Sequence, residues 1–174
     1  GAELLHAMRA RFHDLPLVAE DLGVITADVD ALRREFSLPG MRVLQFGFDG
    51  SPDNPHLPHN YQHDTVAYTG THDNDTTLGW YRSLPESAAR HVDDYLAADA
   101  RHMPAAMVRA VIASVAQLAV VPMQDLLSLG SEARFNTPGT VGSNWRWRMP
   151  GDALQRLDPA PWRMINHRYG RVSA

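Results

Sequence analysis

Short apolar runs alternate along this chain with segments of helical periodicity. The apolar runs are Leu17 to Ala19, Arg42 to Phe46, Thr65 to Thr69 and Leu118 to Val121. The segments with a helical pattern are about Asp28 to Phe36, Pro85 to Asp99, Pro104 to Val115 and Pro122 to Leu129. This alternation is typical of βα units on a parallel sheet, so we predict an α/β fold with four such units. Four units can form either a small doubly wound sheet or half of an eight-stranded barrel.

The start of the chain bears on this choice. Gly1 to Leu5 already reads as the middle of a helix, and no initiating Met precedes it. We therefore expect a part of a longer protein, which favours half a barrel. No linker and no internal repeat divides residues 1–174, so we predict a single unit.

Composition excludes several classes of function. The formal net charge is -4 and the basic residues are interleaved with acidic ones, so the basic patch of a nucleic-acid-binding protein is missing. The chain contains no cysteine, which excludes disulfides and thiolate metal sites and fits a cytoplasmic protein. The longest apolar run, near Val111 to Pro122, is too short to cross a membrane.

Two of the apolar runs are followed by acidic residues. Glu20 and Asp21 follow the first run, and His72 and Asp73 follow the third after a Gly-Thr pair. Barrel and doubly wound enzymes hold their chemistry at the carboxyl ends of parallel strands. Two carboxyl groups from different strands can cleave a glycosidic bond, one as general acid and one as stabiliser of positive charge. Glu20 and Asp21 can equally well lead into the next helix, and the spacing leaves both interpretations open.

Metal-binding patterns are weak. Asp73 to Asp75 begins like a calcium loop, but Leu78 stands where the sharp turn requires glycine, so we reject that interpretation. A long loop from Asp49 to Asp64 has histidines at spacings compatible with zinc. These residues are His56, His59, His63 and Asp64. We favour solvated loop histidines, because neither acid needs a metal for the chemistry considered, and we predict no metal and no cofactor.

Aromatic residues near the acids have two interpretations. Trp80 and Tyr81 can form a stacking platform for a sugar ring or pack the next helix. Asn136 to Gly139 predicts a turn that borders the same rim of a barrel. Trp145 to Arg148 alternates with strand period, which predicts an edge strand or a cap over the rim.

A series of motifs, in one order from Leu17 to Arg148, resembles the C-terminal part of the 4-alpha-glucanotransferases, also called amylomaltases or disproportionating enzymes. The matching segments are Ala19 to Gly23, Leu38 to Met41, Val43 to Phe46, Leu57 to Tyr61, Thr69 to Tyr81, Pro122 to Leu127, Asn136 to Gly139 and Asn144 to Arg148. The resemblance implies a (β/α)8 TIM barrel, of which residues 1–174 would be the C-terminal half, about strands five to eight with their helices. It also implies transfer of α-1,4-glucan segments between maltooligosaccharides with retention of anomeric configuration.

The resemblance also implies roles for individual residues. Glu20 would be the general acid/base, and Asp73 would stabilise the transition state. His72 would bind the sugar beside the broken bond, and Asn136 would line the acceptor side. We add the neighbouring residues Asp21 and Asn74 as candidate substrate-binding residues.

One element of the family pattern is missing from this chain. The family's nucleophilic Asp comes from strand four in an Arg-Ile-Asp-His-like segment. Arg11 to Asp14 has similar letters but lies just before the predicted fifth strand. We therefore expect residues 1–174 alone to lack transferase activity. The alternatives are an α-amylase-like hydrolase and a glucan-binding domain without catalysis.

Overall fold

A parallel sheet of three strands lies at the centre of the structure, a computed structural model that describes residues 1–172. Its strands are β1 (Gly40–Val43), β2 (Thr65–Tyr68) and β3 (Leu118–Val120), in that spatial order. Gly40 pairs with Thr65 at one end, and Tyr68 pairs with Val120 at the other. The parallel direction of the last three predicted strands is confirmed, with shifts of up to three residues at their ends.

Helices precede, connect and follow the strands. They are α1 (Ala2–Phe12), α2 (Ala27–Glu35), α3 (Thr77–Ser83), α4 (Glu86–Leu96), α5 (Ala105–Ala113), α6 (Met123–Leu126), α7 (Ala153–Arg156) and α8 (Ala160–Arg168). The longest of these described helices, α1 and α4, have eleven residues each, and none within residues 1–172 has the length and apolar character of a membrane-spanning helix. The four helices predicted from periodicity are confirmed as α2, α4, α5 and α6; α2 is shifted by one residue, and the other three are shorter than predicted.

The first predicted strand is wrong as an extended element. Leu17 to Ala19 forms a single parallel bridge, between Ala19 and Gly40, and the Ala19 N–H donates to Pro39 O at 2.9 Å. Leu17 and Val18 are 37% and 45% exposed. Within residues 1–172 no strand pairs with this segment on its outer side, so its remaining backbone groups have no ladder to join.

Two further predictions need correction, and one helix was not predicted. Leu44–Gly47 forms a 3₁₀ turn, although the second strand was predicted to run to Phe46. Helix α3 was not predicted, because its seven residues contain Gly79 and start directly after the acidic cluster. Trp145 to Arg148 forms no strand, and Trp145 has a positive φ of 65° that an extended strand does not allow.

The main core lies between the sheet and helices α3 to α5. It includes Leu44 and Ala67 from the sheet side, Val92 from α4, and Met107 and Val111 from α5. Met107 and Val111 are fully buried, so this face of α5 packs into the core. The sheet is therefore covered by helices on the face that carries Ala67.

The other face of the sheet is open at β3. Ala119 packs against the core, so its neighbours Leu118 and Val120 point to the opposite face. These two side chains are 50% and 37% exposed. Parallel strands are normally buried on both faces, so two exposed apolar residues on a strand mark a face that residues 1–172 leave uncovered.

Candidate active site

A cavity at the carboxyl ends of β2 and β3 brings the two predicted catalytic acids together. Glu20, His72 and Asp73 line it, and its volume is about 340 Å³. Tyr68 and Val120, paired at the ends of their strands, form part of its floor. Acidic groups from two separate segments thus meet at the strand ends, where α/β folds place their ligands.

Glu20 lies at the rim of this cavity and is exposed. It follows Ala19, whose bridge to Gly40 fixes the backbone beside β1. Burial and the nearby Glu20 carboxylate raise the pKa of the Tyr68 hydroxyl. The Glu20 carboxyl therefore sits close to the end of β2, with access from solvent.

His72 and Asp73 belong to a loop that continues β2. His72 Nε2 lies 3.2 Å from Asp73 Oδ1, and the same oxygen accepts a hydrogen bond from Asn136 Nδ2 at 2.6 Å. Two backbone-directed bonds join the loops as well: the Asn136 N–H donates to His72 O, and Arg134 donates to Asp73 O at 2.9 Å. The structure thus brings together Asp73, His72 and Asn136, three of the residues predicted for the site.

Aromatic rings flank His72. The His72 and Trp145 ring centroids are 5.2 Å apart, and Phe135 meets Trp145 edge to face at 5.0 Å. Trp145 is 53% exposed. The segment with strand-like alternation therefore places one of its tryptophans beside the candidate site as part of an irregular loop. Trp80, by contrast, packs against the core near Phe48.

Asp21 and Asn74 bind the chain itself. Asp21 Oδ1 accepts from the Met41 N–H at 2.6 Å, and Oδ2 lies 3.0 Å from Arg42 Nη1. Asn74 Oδ1 accepts from both the N–H and the hydroxyl of Thr71, at 2.9 Å each. Both side chains shape the backbone next to the cavity, and their assignment to substrate binding stays a prediction.

Sequence reasoning gave no role to Asp125, which lies beneath the site. This residue of α6 is 1% exposed and accepts hydrogen bonds from Thr69 and Thr77. Burial raises the pKa of its carboxyl, and the hydrogen bonds act in the opposite direction. No pattern in the segment Met123 to Leu126, Met-Gln-Asp-Leu, marks this carboxyl as buried.

Gln45 was missed in the same way. It is buried after β1, and its Nε2 donates to Asp75 O at 3.0 Å. Its backbone N–H donates to Thr69 O. A lone amide within the apolar run Val43 to Phe46 was the signal.

The histidines of the loop from Asp49 to Asp64 make hydrogen bonds within the protein. His56 Nδ1 accepts from the Val43 N–H at 3.0 Å, and burial together with Arg42 lowers its pKa. His59 bonds to Tyr95 Oη and Pro52 O. Over residues 1–172, no three His, Asp or Glu side chains are grouped as metal ligands would be. The zinc interpretation therefore has no support from the geometry.

Comparison with known proteins gives the family. A family profile described as 4-alpha-glucanotransferase matches residues 1–155. This chain belongs to the 4-alpha-glucanotransferase family. Relatives include the chloroplastic/amyloplastic 4-alpha-glucanotransferase of Oryza sativa subsp. japonica, 55% identical over 145 residues that make up 82% of this chain and 24% of the relative. The 4-alpha-glucanotransferase of Thermus thermophilus is 50% identical over 161 residues, 87% of this chain and 32% of that protein.

Solved structures agree with this membership. Amylomaltase from Streptococcus agalactiae, solved in complex with acarbose, superposes with a TM-score of 0.88 at 35% identity, over 98% of this chain and 35% of that one. Amylomaltase from Corynebacterium glutamicum, at 18% identity and a TM-score of 0.58, shares the fold. The 174 residues span about a quarter to a third of the length of the two curated relatives above.

Proposed function

We propose that residues 1–174 supply the acid/base and charge-stabilising half of a 4-alpha-glucanotransferase active site. The observation that carries this proposal is the convergence of Glu20, His72 and Asp73 on one cavity at the strand ends. Family membership supports the reaction, and the S. agalactiae neighbour was solved in complex with acarbose.

The reaction follows from what these residues can do. Glu20 protonates the departing glycosidic oxygen while a nucleophilic carboxylate attacks C1 and forms a glycosyl-enzyme ester. Glu20 then deprotonates the 4-OH of the incoming glucan, whose oxygen attacks C1 and displaces the carboxylate. Asp73 stabilises the positive charge of the oxocarbenium-like transition state. Asn136, which binds one oxygen of Asp73, keeps that carboxylate directed at the cavity. The family's nucleophile segment has no counterpart in residues 1–174, so we propose that it comes from sequence outside them.

We further propose that this chain forms the C-terminal half of a (β/α)8 barrel. The exposed face at Leu118 and Val120 is the face that would point into a barrel interior, which side chains normally fill. The single bridge at Ala19 marks the other edge, where a preceding strand would pair. Strands on both sides would turn Leu17 to Ala19 into the extended element that its sequence predicts.

Maltooligosaccharides and longer α-1,4-glucans are the proposed substrates. The cavity offers carboxylate and imidazole groups, and the Asn136 amide and the Trp145 ring lie beside Asp73 and His72. Such groups suit a neutral hydroxylated ligand. We propose that it acts without nucleic acid, membrane or cofactor. The cytoplasm remains the predicted compartment.

The test uses a chimera in which this chain replaces the matching segment of the Thermus thermophilus relative. Incubated with maltotriose, the chimera is expected to produce a ladder of longer glucans. Only shorter sugars with rising reducing ends would instead identify the α-amylase-like hydrolase. Binding of maltooligosaccharide without any product would identify a glucan-binding domain.

Single substitutions assign the roles. Glu20→Gln removes the transferable proton and is expected to reduce transfer by about 10²- to 10⁴-fold, the usual contribution of a general acid/base. Glu86→Gln is the matched control, because Glu86 is an exposed residue of α4 that does not line the cavity. Equal activities of the two variants would refute the role of Glu20.

A further inference from the structure

We propose that Asp125 is a positioning residue that holds the loop carrying His72 and Asp73 by binding both of its ends. The loop, residues 70–76, begins after Thr69 and finishes at Thr77, the first residue of α3. Both threonines are completely buried. This inference rests on the proposed function only for its catalytic consequence.

One carboxylate spans the base of the loop. Asp125 Oδ2 accepts from Thr69 Oγ1 at 2.5 Å and from Thr77 Oγ1 at 2.7 Å. Its Oδ1 accepts from the Thr77 backbone N–H at 2.8 Å. The two anchor residues are eight positions apart in sequence, and a single side chain ties them together. The loop therefore cannot open or shift at its base without breaking bonds to a buried carboxyl group, which is costly.

Asp125 follows β3, the neighbouring strand of the sheet. Asp125 belongs to α6, which starts directly after β3, and β3 pairs with β2. In addition to the backbone hydrogen bonds between β2 and β3, side-chain hydrogen bonds to Asp125 therefore join the segments that follow the two strands. The position of Asp73 is therefore set by β3 as well as by β2.

Other hydrogen bonds hold the middle of the loop. Gln45 donates to Asp75 O, and Asn74 closes the turn on Thr71. Ser131 donates to Asp75 Oδ2 at 2.6 Å. These contacts order the middle of the loop, whereas in the described residues Asp125 is the side chain that joins Thr69 to Thr77. Its removal should therefore loosen the two ends of the loop at Thr69 and Thr77.

The catalytic consequence is geometric. A carboxylate that stabilises a transition state acts only when it is correctly placed, and a displacement of about 1 Å can cost about 10²-fold in rate. Loss of Asp125 should therefore lower kcat more than it changes KM. A side chain that contributed only to stability would leave kcat of the folded enzyme unchanged.

Two variants separate these possibilities. Asp125→Ala removes all three bonds. Asp125→Asn keeps an acceptor for the Thr77 N–H, and its amide can donate to the two threonine hydroxyls. Val92→Ala is the matched control, because Val92 is a fully buried side chain of α4 in the main core and its truncation lowers stability without touching the loop.

The first measurement is amide hydrogen exchange of the 174-residue chain, which needs no activity. Asp125→Ala is expected to accelerate exchange of the amides of residues 70–77 at least about tenfold beyond Val92→Ala, whereas Asp125→Asn stays close to the parent. Equal exchange in the Asp125→Ala and Val92→Ala variants would overturn the anchoring role.

The second measurement is maltotriose transfer by the chimera described above. Asp125→Ala is expected to lower kcat by about 10- to 100-fold with KM within about threefold, and Asp125→Asn to restore most of the rate. An unchanged kcat would overturn the positioning role. A chimera whose transfer is insensitive to Glu20→Gln would instead refute the proposed function, and the exchange data would still decide the anchor.

Discussion

Replacement of Asp21 by alanine tests whether this acid is a structural residue. Its side chain is 9% exposed, and both of its oxygens bind the start of β1. We expect Asp21→Ala to destabilise the chain substantially. If Asp21 instead bound substrate and had no structural role, Asp21→Ala would weaken glucan binding and leave the free energy of unfolding unchanged.

The size of the loss follows from the two contacts. Removal of the carboxylate leaves the Met41 N–H without its 2.6 Å acceptor, which costs about 1–3 kcal/mol when the group is shielded from water. The Arg42 side chain is 24% exposed and also donates to Met41 O, so its lost ion pair costs less than the ~3–5 kcal/mol of a fully buried pair. We take about 1–2 kcal/mol for this part, which gives a total of about 2–5 kcal/mol.

Urea unfolding of the 174-residue chain, followed by circular dichroism, measures this loss. In thermal unfolding of the same variants, each kcal/mol lost should lower Tm by about 2–4 °C. Asp152→Ala is the matched control, because Asp152 pairs with Arg156 at 3.2 Å but the two side chains are 67% and 59% exposed. Such a surface pair contributes about 0–1 kcal/mol.

Asp21→Asn refines the test. Asparagine keeps an oxygen for the Met41 N–H but loses the charge that faces Arg42, so its loss should be about half that of alanine. If Asp21→Ala and Asp152→Ala reduce the free energy of unfolding equally, the structural role of Asp21 is refuted.

Three further predictions concern stability. Burial and a hydrogen bond to the Asp93 carboxylate raise the pKa of Tyr81 to about 12. In the unfolded chain the pKa of a tyrosine is ~10, so the unfolded state loses this proton at a lower pH than the folded state does. The unfolding free energy should therefore fall between pH ~10 and ~12, and less steeply in Tyr81→Phe, as urea unfolding at several pH values would show. Met107→Ala should cost about 2–5 kcal/mol, and truncation of the 55% exposed Met164 almost nothing, in the same assay. Gly70→Ala adds a Cβ 2.7 Å from a glutamine amide nitrogen, so it should cost about 1–3 kcal/mol and accelerate exchange in loop 70–76; parent-like values would show that the loop has room.

Much of the fold could be predicted from periodicity, and the exceptions have physical causes. The stripe of α5 and the runs that became β2 and β3 are strong local patterns with neighbours to pack against. Leu17 to Ala19 has the same apolar pattern, but an extended segment becomes a strand only when another pairs with it, and it forms one bridge. The short helix α3 depends on its cap, the Thr76 hydroxyl that accepts from the Gly79 N–H, more than on its composition.

The candidate site was predictable in part for a similar reason. The sequence places Asp73 and His72 at a strand end, and their proximity to Glu20 was one of two interpretations that the spacing left open. Contacts such as Asn136 to Asp73 join residues far apart in the chain, and only the packing of two loops creates them. Asp125 and Gln45 were missed because their polar groups are directed into the protein, where burial depends on tertiary structure.

Adjacent acids after a strand are nevertheless constrained by a rule that needs no structure. Successive side chains of an extended backbone point to opposite sides, and here Glu20 lines the cavity whereas Asp21 does not. The glycine that pairs with Ala19 indicates which acid is directed towards the chain: a Cβ on Gly40 would lie 2.5 Å from Asp21 Oδ2, so the absence of a side chain there makes space for that carboxylate. Glu20 is then the acid left for the cavity. The two neighbours should give opposite signatures, a loss of transfer with stability retained for Glu20→Gln and a loss of stability for Asp21→Ala.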